Sequence, residues 1–322
     1  MRVLVTGGAG YIGSHVSREL SSQSIDHVIL DNFSRGHSEA VQWAPAFELD
    51  IHDFSSISRL LRVEEITHVI HLAAYAYVAE SVKDPSLYLR NNVSGSSALF
   101  AAMQASGVER LVFSSTCSVY GESSGEASTE SDECRPVSPY GLSKLMVERM
   151  LCDLCDSLAW KAIALRYFNA AGAASDGSIG ESHDPEPHLI PNLIRAAVDG
   201  GEFELYGDDY ETKDGTCVRD FVHVEDIARA HVSALKTIDT IDAYQAMNLG
   251  SGAGFSLLEI IEAVQSVVGK SINVVKKERR PGDPARVRAN SSLAQEQLNW
   301  RPQADLREMI ESAVSWHRNR KY

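Results

Sequence analysis

The chain alternates short apolar runs with longer stretches in which apolar residues recur at the helical period. The short runs are rich in β-branched residues and end at glycine or polar clusters, as buried strands of a parallel sheet do. The pattern predicts strands at 2–7, 27–31, 46–50, 67–73, 110–115 and 161–168. It predicts helices between them near 11–22, 55–62, 86–105 and 139–156. This order indicates an α/β fold with a doubly wound parallel sheet.

The pattern changes after Phe168. A loop-rich segment runs to residue 188, and a helix near 189–199 and a short strand at 203–206 follow it. Further helices are predicted near 223–236, 256–268 and 303–317. Long segments without secondary structure are usually functional. We therefore expect a Rossmann domain at 1–170, to which 222–250 return, and a smaller α/β C-terminal domain at 171–322 that binds the substrate.

The composition is that of a folded globular protein with an acidic surface. Hydrophobic residues make up 44% of the 322 positions and charged residues 23%, close to the globular average. Acidic residues outnumber basic ones by 44 to 30, so the formal charge is −14. Such a surface repels nucleic acid and anionic lipid. We expect no nucleic acid and no membrane as partners, and an anionic ligand has to be bound by local groups.

The cysteines and the first residues indicate a reducing compartment. Five cysteines are present, an odd number, and the opening MRVLVTGGAG lacks the apolar segment of a secretory signal. No stretch approaches the ~18 apolar residues that span a membrane. The expected location is the cytoplasm.

Two groups of potential metal ligands are better explained without a metal. Cys152 and Cys155 have CxxC spacing but lie in an amphipathic helical stretch without a second pair. The segment ESHDPEPH offers four potential ligands: His183, Asp184, Glu186 and His188. Its two prolines predict a loop that lacks the periodicity to align ligands. We therefore expect no metal site.

A glycine-rich turn follows the first predicted strand. In TGGAGYIGSH, Gly7, Gly10 and Gly13 are spaced three apart and a helical pattern follows. Such a turn lets the backbone approach a pyrophosphate at a helix N-terminus. Asp31 ends the second strand, where a carboxylate accepts hydrogen bonds from the adenosine ribose and repels a 2′-phosphate. The predicted cofactor is therefore NAD.

Two alternatives remain open at this turn. Arg35 lies in the loop after Asp31 and offers a cation for the 2′-phosphate of NADP, although Asp31 is nearer the strand end. The second alternative is a tight glycine turn in a flavodoxin-like fold without a dinucleotide.

A tyrosine and a lysine four residues apart are the candidate catalytic pair. Tyr140 and Lys144 lie on one face of a predicted helix, just after the predicted cap residues Ser138 and Pro139. An ammonium about 5 Å from a tyrosine hydroxyl lowers the pKa of that tyrosine by about two, which favours the tyrosine as a base. The small hydroxyl residue Thr116 ends the fifth strand. The YxxxK spacing alone also occurs by chance on many helices.

In combination, TGGAGYIG, the hydroxyl residue of strand five and YGLSK resemble the extended short-chain dehydrogenase/reductase family, and in particular its nucleotide-sugar epimerases. The resemblance extends through nearly the whole chain. It includes LDNFSRG from residue 30, HLAA from 71, ESVKDP from 80, NNVSG from 91, LRYFNAAGA from 165, YGDDYETKDGTCVRDFVHVEDIA from 206, NLGSG from 248, RRPGDP from 279 and LNWRP from 298.

The resemblance implies a tightly bound NAD. It assigns Asp50 and Ile51 to the adenine and residues 72–74 to the pyrophosphate side. The cofactor residues that it implies are Gly7, Gly10, Tyr11, Ile12, Gly13, Asp31, Asn32, Ser34, Asp50, Ile51, Leu72, Ala73, Ala74, Asn91, Ser114, Tyr140, Lys144 and Phe168.

The resemblance also implies interconversion of UDP-glucose and UDP-galactose through a 4-keto intermediate, by a homodimer. Tyr140 would take the proton of the sugar 4′-hydroxyl, Lys144 would hold the nicotinamide ribose, and Thr116 would hydrogen-bond the same hydroxyl. The residues implied for the UDP-sugar are Thr116, Asn169, His188, Leu189, Glu204, Tyr206, Arg219, Arg280, Asp283 and Val287.

The sequence departs from the family pattern at four positions. His188 stands where an asparagine is frequent, and Phe221 replaces a frequent tyrosine. Ala76 stands where some members have a lysine. Val287 falls at a wall position that is tyrosine or a smaller residue in different members, and its size favours some activity on UDP-N-acetylhexosamines.

Other functions remain as alternatives. A sugar-nucleotide 4,6-dehydratase needs an acidic pair after the strand-five threonine, where this chain has Cys117 and Ser118. A UDP-pentose substrate is open, whereas RYFNAAGA resembles a neutral-sugar pattern rather than that of a uronate epimerase. An NAD-binding module without catalysis usually lacks the tyrosine and lysine that this chain has.

Overall fold

The computed structural model describes residues 1–121, 127–280 and 283–322. The strands are β1 (Arg2–Thr6), β2 (Asp26–Asp31), β3 (Ala46–Glu48), β4 (His68–His71), β5 (Arg110–Thr116), β6 (Lys161–Tyr167), β7 (Asn169–Ala171), β8 (Glu202–Tyr206), β9 (Val218–Arg219), β10 (Phe221–His223), β11 (Tyr244–Leu249), β12 (Phe255–Ser256), β13 (Asn273–Lys277) and β14 (Arg286–Val287). The helices are α1 (Tyr11–Ser22), α2 (Phe54–Val63), α3 (Val78–Lys83), α4 (Pro85–Tyr88), α5 (Gly95–Ser106), α6 (Pro139–Ser157), α7 (Leu189–Asp199), α8 (Val224–Thr237), α9 (Leu257–Val268), α10 (Ser292–Leu298) and α11 (Leu306–Arg318).

A seven-stranded parallel sheet forms the centre of the molecule. Its strand order is β3-β2-β1-β4-β5-β6-β11, and all neighbouring strands in it are parallel. The order in which strands are added reverses between β1 and β4, and in such folds ligands bind in the crevice at the carboxyl ends of the strands on either side of this point. The predicted doubly wound Rossmann sheet is confirmed.

Helices cover both faces of this sheet. One core includes side chains of β1, α1 and α8, and the other includes side chains of α2, α5 and α6. Strands buried on both faces need near-continuous apolar runs, and four of the five residues of β1 are buried. This explains why β1, β2, β4, β5 and β6 were visible in the sequence pattern.

A third core lies outside the central sheet and contains side chains of α7, α9 and α11. Three small sheets accompany it, in the orders β10-β7, β12-β9-β14 and β13-β8. Five of these seven strands have only two or three residues, too few to produce a periodic pattern. None of the described helices is long and apolar enough to cross a membrane.

The helix predicted at 86–105 is present, but it is not α-helical throughout. The segment consists of α4, a π-helix over Leu89–Ser94 and α5. The buried amide of Asn92 bonds outside the helix, since it accepts from Tyr75 N at 2.9 Å and donates to Ser143 Oγ at 3.0 Å. Single-turn π segments are frequent at functional sites, and Asn91 of this segment lines the cavity described next.

Candidate active site

One cavity of about 600 Å³ lies at the carboxyl ends of the central strands and extends to α7, β8 and β9. It brings together residues that the sequence analysis had assigned to cofactor and to substrate. The predicted residues that line it are Gly7, Gly10, Tyr11, Ile12, Gly13, Asp31, Asn32, Ser34, Ile51, Leu72, Ala73, Ala74, Asn91, Ser114, Thr116, Tyr140, Lys144, Phe168, Asn169, His188, Leu189, Glu204, Tyr206, Arg219, Arg280 and Asp283.

Two predicted residues, Asp50 and Val287, are not among the residues that line the cavity. Asp50 lies beside it and accepts a hydrogen bond from Asn32 Nδ2 at 2.9 Å. Val287 belongs to β14 and pairs with Arg219 of β9 through the main chain. The role of Val287 beside the sugar stays a prediction.

The glycine-rich turn joins β1 to α1 and leaves no space for side chains. Gly7 has a φ of +73°, and a Cβ there would lie 2.6 Å from Ala73 N. A Cβ on Gly13 would lie 2.1 Å from Gly7 O. The N-terminus of α1 therefore opens onto the cavity without obstruction, and its free N–H groups favour an anion.

The Asp31 carboxylate fixes the two loops around this turn. Its oxygens accept from Ala9 N and from Phe33 N, each at 2.9 Å. Burial raises the pKa of Asp31, and these backbone hydrogen bonds partly oppose that effect. The position at the end of β2, facing the cavity, fits an adenosine ribose.

Arg35, the residue that favoured NADP, is held by other partners. Its Nη2 lies 2.7 Å from Glu80 Oε1. The guanidinium carbon lies 4.7 Å from the ring centre of Tyr75 and 4.9 Å from that of Tyr77. The Glu80 carboxylate offsets the positive charge of Arg35, so Arg35 attracts a 2′-phosphate less strongly.

Tyr140 and Lys144 lie in the first two turns of α6, as the cap residues indicated. Ser138 Oγ accepts a hydrogen bond from Gly141 N at 3.1 Å, and Pro139 begins the helix. Both side chains of the pair are buried, and both line the cavity.

The pKa values of this pair differ from the expectation that Lys144 lowers the pKa of Tyr140. Burial raises the pKa of Tyr140 to about 12, and a hydrogen bond with Thr116 opposes the rise. Burial also lowers the pKa of Lys144 to about 7, against the attraction of Glu148. Lys144 Nζ donates to Ser114 O at 2.8 Å. Because burial acts on both groups, proximity alone does not make Tyr140 a base at neutral pH.

Hydroxyl and thiol groups follow β5 at the reacting end of the cavity. Thr116 Oγ1 accepts from Ser118 N at 3.1 Å, which holds the threonine beside Tyr140. Cys117 and Ser118 also line the cavity. The acidic pair that a dehydratase needs is absent from these described positions.

Two arginines and two acidic side chains surround the opposite end. Arg219 Nη2 lies 2.5 Å from Asp283 Oδ1, and the Arg280 guanidinium stacks 3.9 Å from the ring centre of Tyr206. Tyr206 donates a hydrogen bond to Glu204. A stacked arginine beside a second guanidinium suits a diphosphate, whereas carboxylates suit ribose hydroxyls.

Several residues of the cavity wall were not predicted from the sequence, and those of the loop after β7 are the clearest case. Glu181 and His183 line the cavity with His188, and the ligand atoms of Glu181, His183, Glu186 and His188 all lie within 4.8 Å of one another. Asp184, named from the sequence, is not in this group. The sequence ESHDPEPH shows that these side chains are potential ligands. It does not show that they lie close together, because that depends on the folding of a loop without a periodic pattern.

The imidazoles and carboxylates of this loop stabilise each other's charged forms. Burial would lower the pKa of His188, but the carboxylates of Glu181 and Glu186 raise it to about 10. Burial would raise the pKa of Glu186, but the nearby imidazoles of His183 and His188 and the main-chain N–H of His188 lower it to about 2.

A family model described as "NAD dependent epimerase/dehydratase family" matches residues 3–250. The chain belongs to this family. The relatives agree: the UDP-glucose 4-epimerase of Lactobacillus helveticus is 45% identical, over 99% of this chain and 98% of its own. The resemblance seen in the motifs is confirmed, and the family description agrees with the predicted cofactor.

Solved structures show the same fold. UDP-glucose 4-epimerase from Brucella ovis in complex with NAD is 43% identical with a TM-score of 0.95, over 97% of each chain. UDP-glucose-4-epimerase from Stenotrophomonas maltophila with bound NAD and formylated UDP-arabinopyranose is 39% identical with a TM-score of 0.96, over 99% of this chain and 98% of that one.

Proposed function

We propose that the protein interconverts UDP-glucose and UDP-galactose by oxidation and re-reduction at C4 of the sugar, with NAD as the bound cofactor. The observation that carries this proposal is the single cavity. It has the glycine turn and Asp31 at one end, Arg219, Arg280 and Asp283 at the other, and Tyr140 between them.

The residues at the first end fit NAD. At Gly7 and Gly13 there is no room for a Cβ atom, so the turn stays close-packed and open to the cofactor. The N-terminus of α1 suits the pyrophosphate. Asp31 would bind the adenosine ribose, with the other cofactor residues of the cavity around it. NAD supplies the reversible hydride acceptor for the sugar C4.

Tyr140 provides the proton transfer. The ammonium of Lys144 and the positive charge that a bound nicotinamide would add favour the phenolate of Tyr140. This phenolate takes the proton of the 4′-hydroxyl as the C4 hydride leaves, and the C4–O bond becomes a carbonyl. Thr116 hydrogen-bonds the same oxygen. In the second half, the hydride returns to the opposite face of C4 and Tyr140 returns the proton, so that no net oxidation results.

The second end of the cavity would hold the nucleotide while the sugar turns. Arg219 and Arg280 would bind the diphosphate, and Asp283 and Glu204 the hydroxyls, with Asn169, Leu189, Tyr206 and the main chain of His188 completing the set. Charge-assisted hydrogen bonds of this kind are strong enough to retain UDP. The 4-keto sugar is then free to present either face to the cofactor.

Incubation with UDP-galactose and no added cofactor tests the proposal. We expect UDP-glucose, measured by anion-exchange chromatography, without accumulation of free NADH. A 4-keto-6-deoxy sugar would contradict it and indicate a dehydratase.

A UDP-pentose is the second candidate, since the Stenotrophomonas relative was solved with a UDP-arabinopyranose derivative. Activity on UDP-N-acetylhexosamines stays a prediction. The same assay with each sugar nucleotide distinguishes these substrates.

We also propose which segments bind the cofactor and which bind the substrate. Residues 1–170 and 222–250 would bind NAD, and most of 171–322 would bind the UDP-sugar. Five free cysteines fit a reducing compartment such as the cytoplasm.

A homodimer would cover an exposed apolar surface on α3, on α6 and on the residues just before α6. This surface includes Val78, Val82, Val137, Leu142 and Met146, which are 39–69% exposed. Exposed apolar residues that cluster in this way mark interaction sites. Light scattering should give twice the chain mass, and replacement of both Leu142 and Met146 by glutamate should reduce it.

A further inference from the structure

The loop 181–188 contains four metal-ligating side chains, most of which the proposed function does not use. Glu181, His183, Glu186 and His188 each present one ligand atom, and these atoms lie within 4.8 Å of one another. In the described part of the chain, this is the one group of three or more such side chains. Two imidazoles with two carboxylates are a donor set typical of zinc.

The distances between the carboxylates and the imidazoles of this group, 2.7 to 3.6 Å, are close to those between ligands of one tetrahedral zinc ion. Bonds of about 2.0–2.1 Å from zinc to nitrogen or oxygen place neighbouring ligands roughly 3.3 Å apart. Glu181 Oε1 lies 3.4 Å from His183 Nδ1 and 2.7 Å from His188 Nδ1. Glu186 Oε2 lies 3.6 Å from His183 Nδ1, and the other oxygen of this carboxylate, Oε1, lies 3.0 Å from His188 Nδ1. A single ion therefore reaches all four donors after small movements.

One donor in this group is buried without a hydrogen-bond partner. His183 Nδ1 has no such partner within the described residues, and it is inaccessible to solvent. The neighbouring carboxylates are also buried, with the Glu181 side chain 8% exposed and that of Glu186 12% exposed. A buried polar atom without a partner is costly, and a cation at this position satisfies it.

Contacts behind the ligands hold the loop in place. Trp316 Nε1 donates to Glu181 O at 2.8 Å, and Asn192 Nδ2 donates to the main-chain oxygens of Glu186 and His188 at 3.1 and 2.8 Å. The ring of Tyr77 packs edge-on against both imidazoles. Such outer contacts orient metal ligands.

We propose that Glu181, His183, Glu186 and His188 bind one divalent cation of the zinc type. All four positions around the ion are protein donors, which is the arrangement of a structural site. The ion fixes the loop that precedes α7, next to Leu189 on the cavity wall. Its role is to brace that wall, and the hydride and proton transfers do not involve it.

The test uses full-length protein without an affinity tag, treated with a chelator and then dialysed. Isothermal titration with ZnCl₂ should give one site per chain. Titration with CoCl₂ should give the strong visible absorption of a tetrahedral ion. No saturable site for either metal would overturn the proposal.

Two variants remove ligands in different ways. His183→Ala should weaken zinc binding at least about tenfold. Glu186→Gln keeps the side-chain size and should have the same effect if the alanine variant misfolds. His317→Ala, on α11, is the matched control and should bind zinc as the wild type does.

Cys152→Ser controls for the CxxC pair, a competing zinc site. Zinc binding that survives in both ligand variants, or that is lost in Cys152→Ser, would also overturn the proposal.

Discussion

Arg166 of β6 and Glu148 of α6 form a buried ion pair with two hydrogen bonds, directly behind the catalytic helix. Arg166 Nε and Nη2 lie 3.0 and 2.5 Å from the two oxygens of Glu148, and their side chains are 7% and 3% exposed. Arg166 Nη1 also donates to Tyr120 at 3.0 Å. Since Glu148 lies one turn after Lys144, this pair fixes the part of α6 that carries the catalytic residues.

Replacing Arg166 by methionine should lower the free energy of unfolding by about 3–5 kcal/mol, because Glu148 is left as an unpaired buried charge. The double variant Arg166→Met/Glu148→Met should recover most of this loss. Urea unfolding of the three proteins measures both effects. Equal stability of the single and double variants would contradict the account of an unpaired charge.

Replacing Tyr140 by phenylalanine should reduce epimerisation by about 10²–10⁴-fold, because the proton of the 4′-hydroxyl then has no acceptor. Retention of NAD and binding of UDP should change little. Tyr244→Phe, on the outer strand β11, is the control and should retain full turnover. Turnover of Tyr140→Phe within a few-fold of the wild type would exclude Tyr140 as the base.

The buried Lys144 predicts a dependence of stability on pH. Its pKa falls from 10.5 in the unfolded chain to about 7 in the folded protein. Between these values the unfolded chain binds the extra proton, so this group makes stability rise with pH from about 7 to 10.5 and stay level below. Lys144→Met removes that contribution.

Melting temperatures at pH 7 and pH 9, at matched nucleotide content, test this prediction. The wild type should gain stability relative to Lys144→Met as the pH rises. Other groups titrate equally in both proteins and cancel in the difference. A difference that stays constant or falls would show that the folded protein binds the proton as readily as the unfolded chain does.

The parts of the fold that could be predicted are those with a period or a cap. The sheet strands through β6 have apolar runs, and α6 has Ser138 and Pro139 at its start. The strand β11 was missed because its sequence YQAMNL mixes polar and apolar residues. The π-helix at 89–94 was missed because it depends on the bonds of Asn92 to distant groups.

The site followed the same division. The glycine turn, Asp31 and the Tyr140/Lys144 pair could be predicted, because each is recognised by residue spacing within one segment of the sequence. The pairing of Arg35 with Glu80 and the convergence of Glu181 with His188 depend on contacts between segments. Burial, which decides the pKa of Tyr140 and Lys144, is likewise a property of the assembled fold.

Asp31 should determine which dinucleotide the protein retains. Its carboxylate faces the cavity at the end of β2, where it repels a 2′-phosphate. Protein purified without added cofactor and then denatured should release NAD, identified by chromatography. Asp31→Asn keeps the side-chain size and should release less NAD and a measurable share of NADP. Release of NADP by the wild type would instead assign Arg35 to the phosphate.

Gly13 should be intolerant of even a methyl group. A Cβ at this position would lie 2.1 Å from Gly7 O and 2.8 Å from Gly8 Cα, and a backbone turn cannot move aside as a flexible side chain can. Gly13→Ala should therefore separate α1 from β1, lose bound NAD and lower the melting temperature. Gly201→Ala is the matched control, because the nearest atom to its Cβ is 4.0 Å away. The two variants differ by the same single methyl group, so equal NAD content in both would mean that close packing of this turn does not govern cofactor binding.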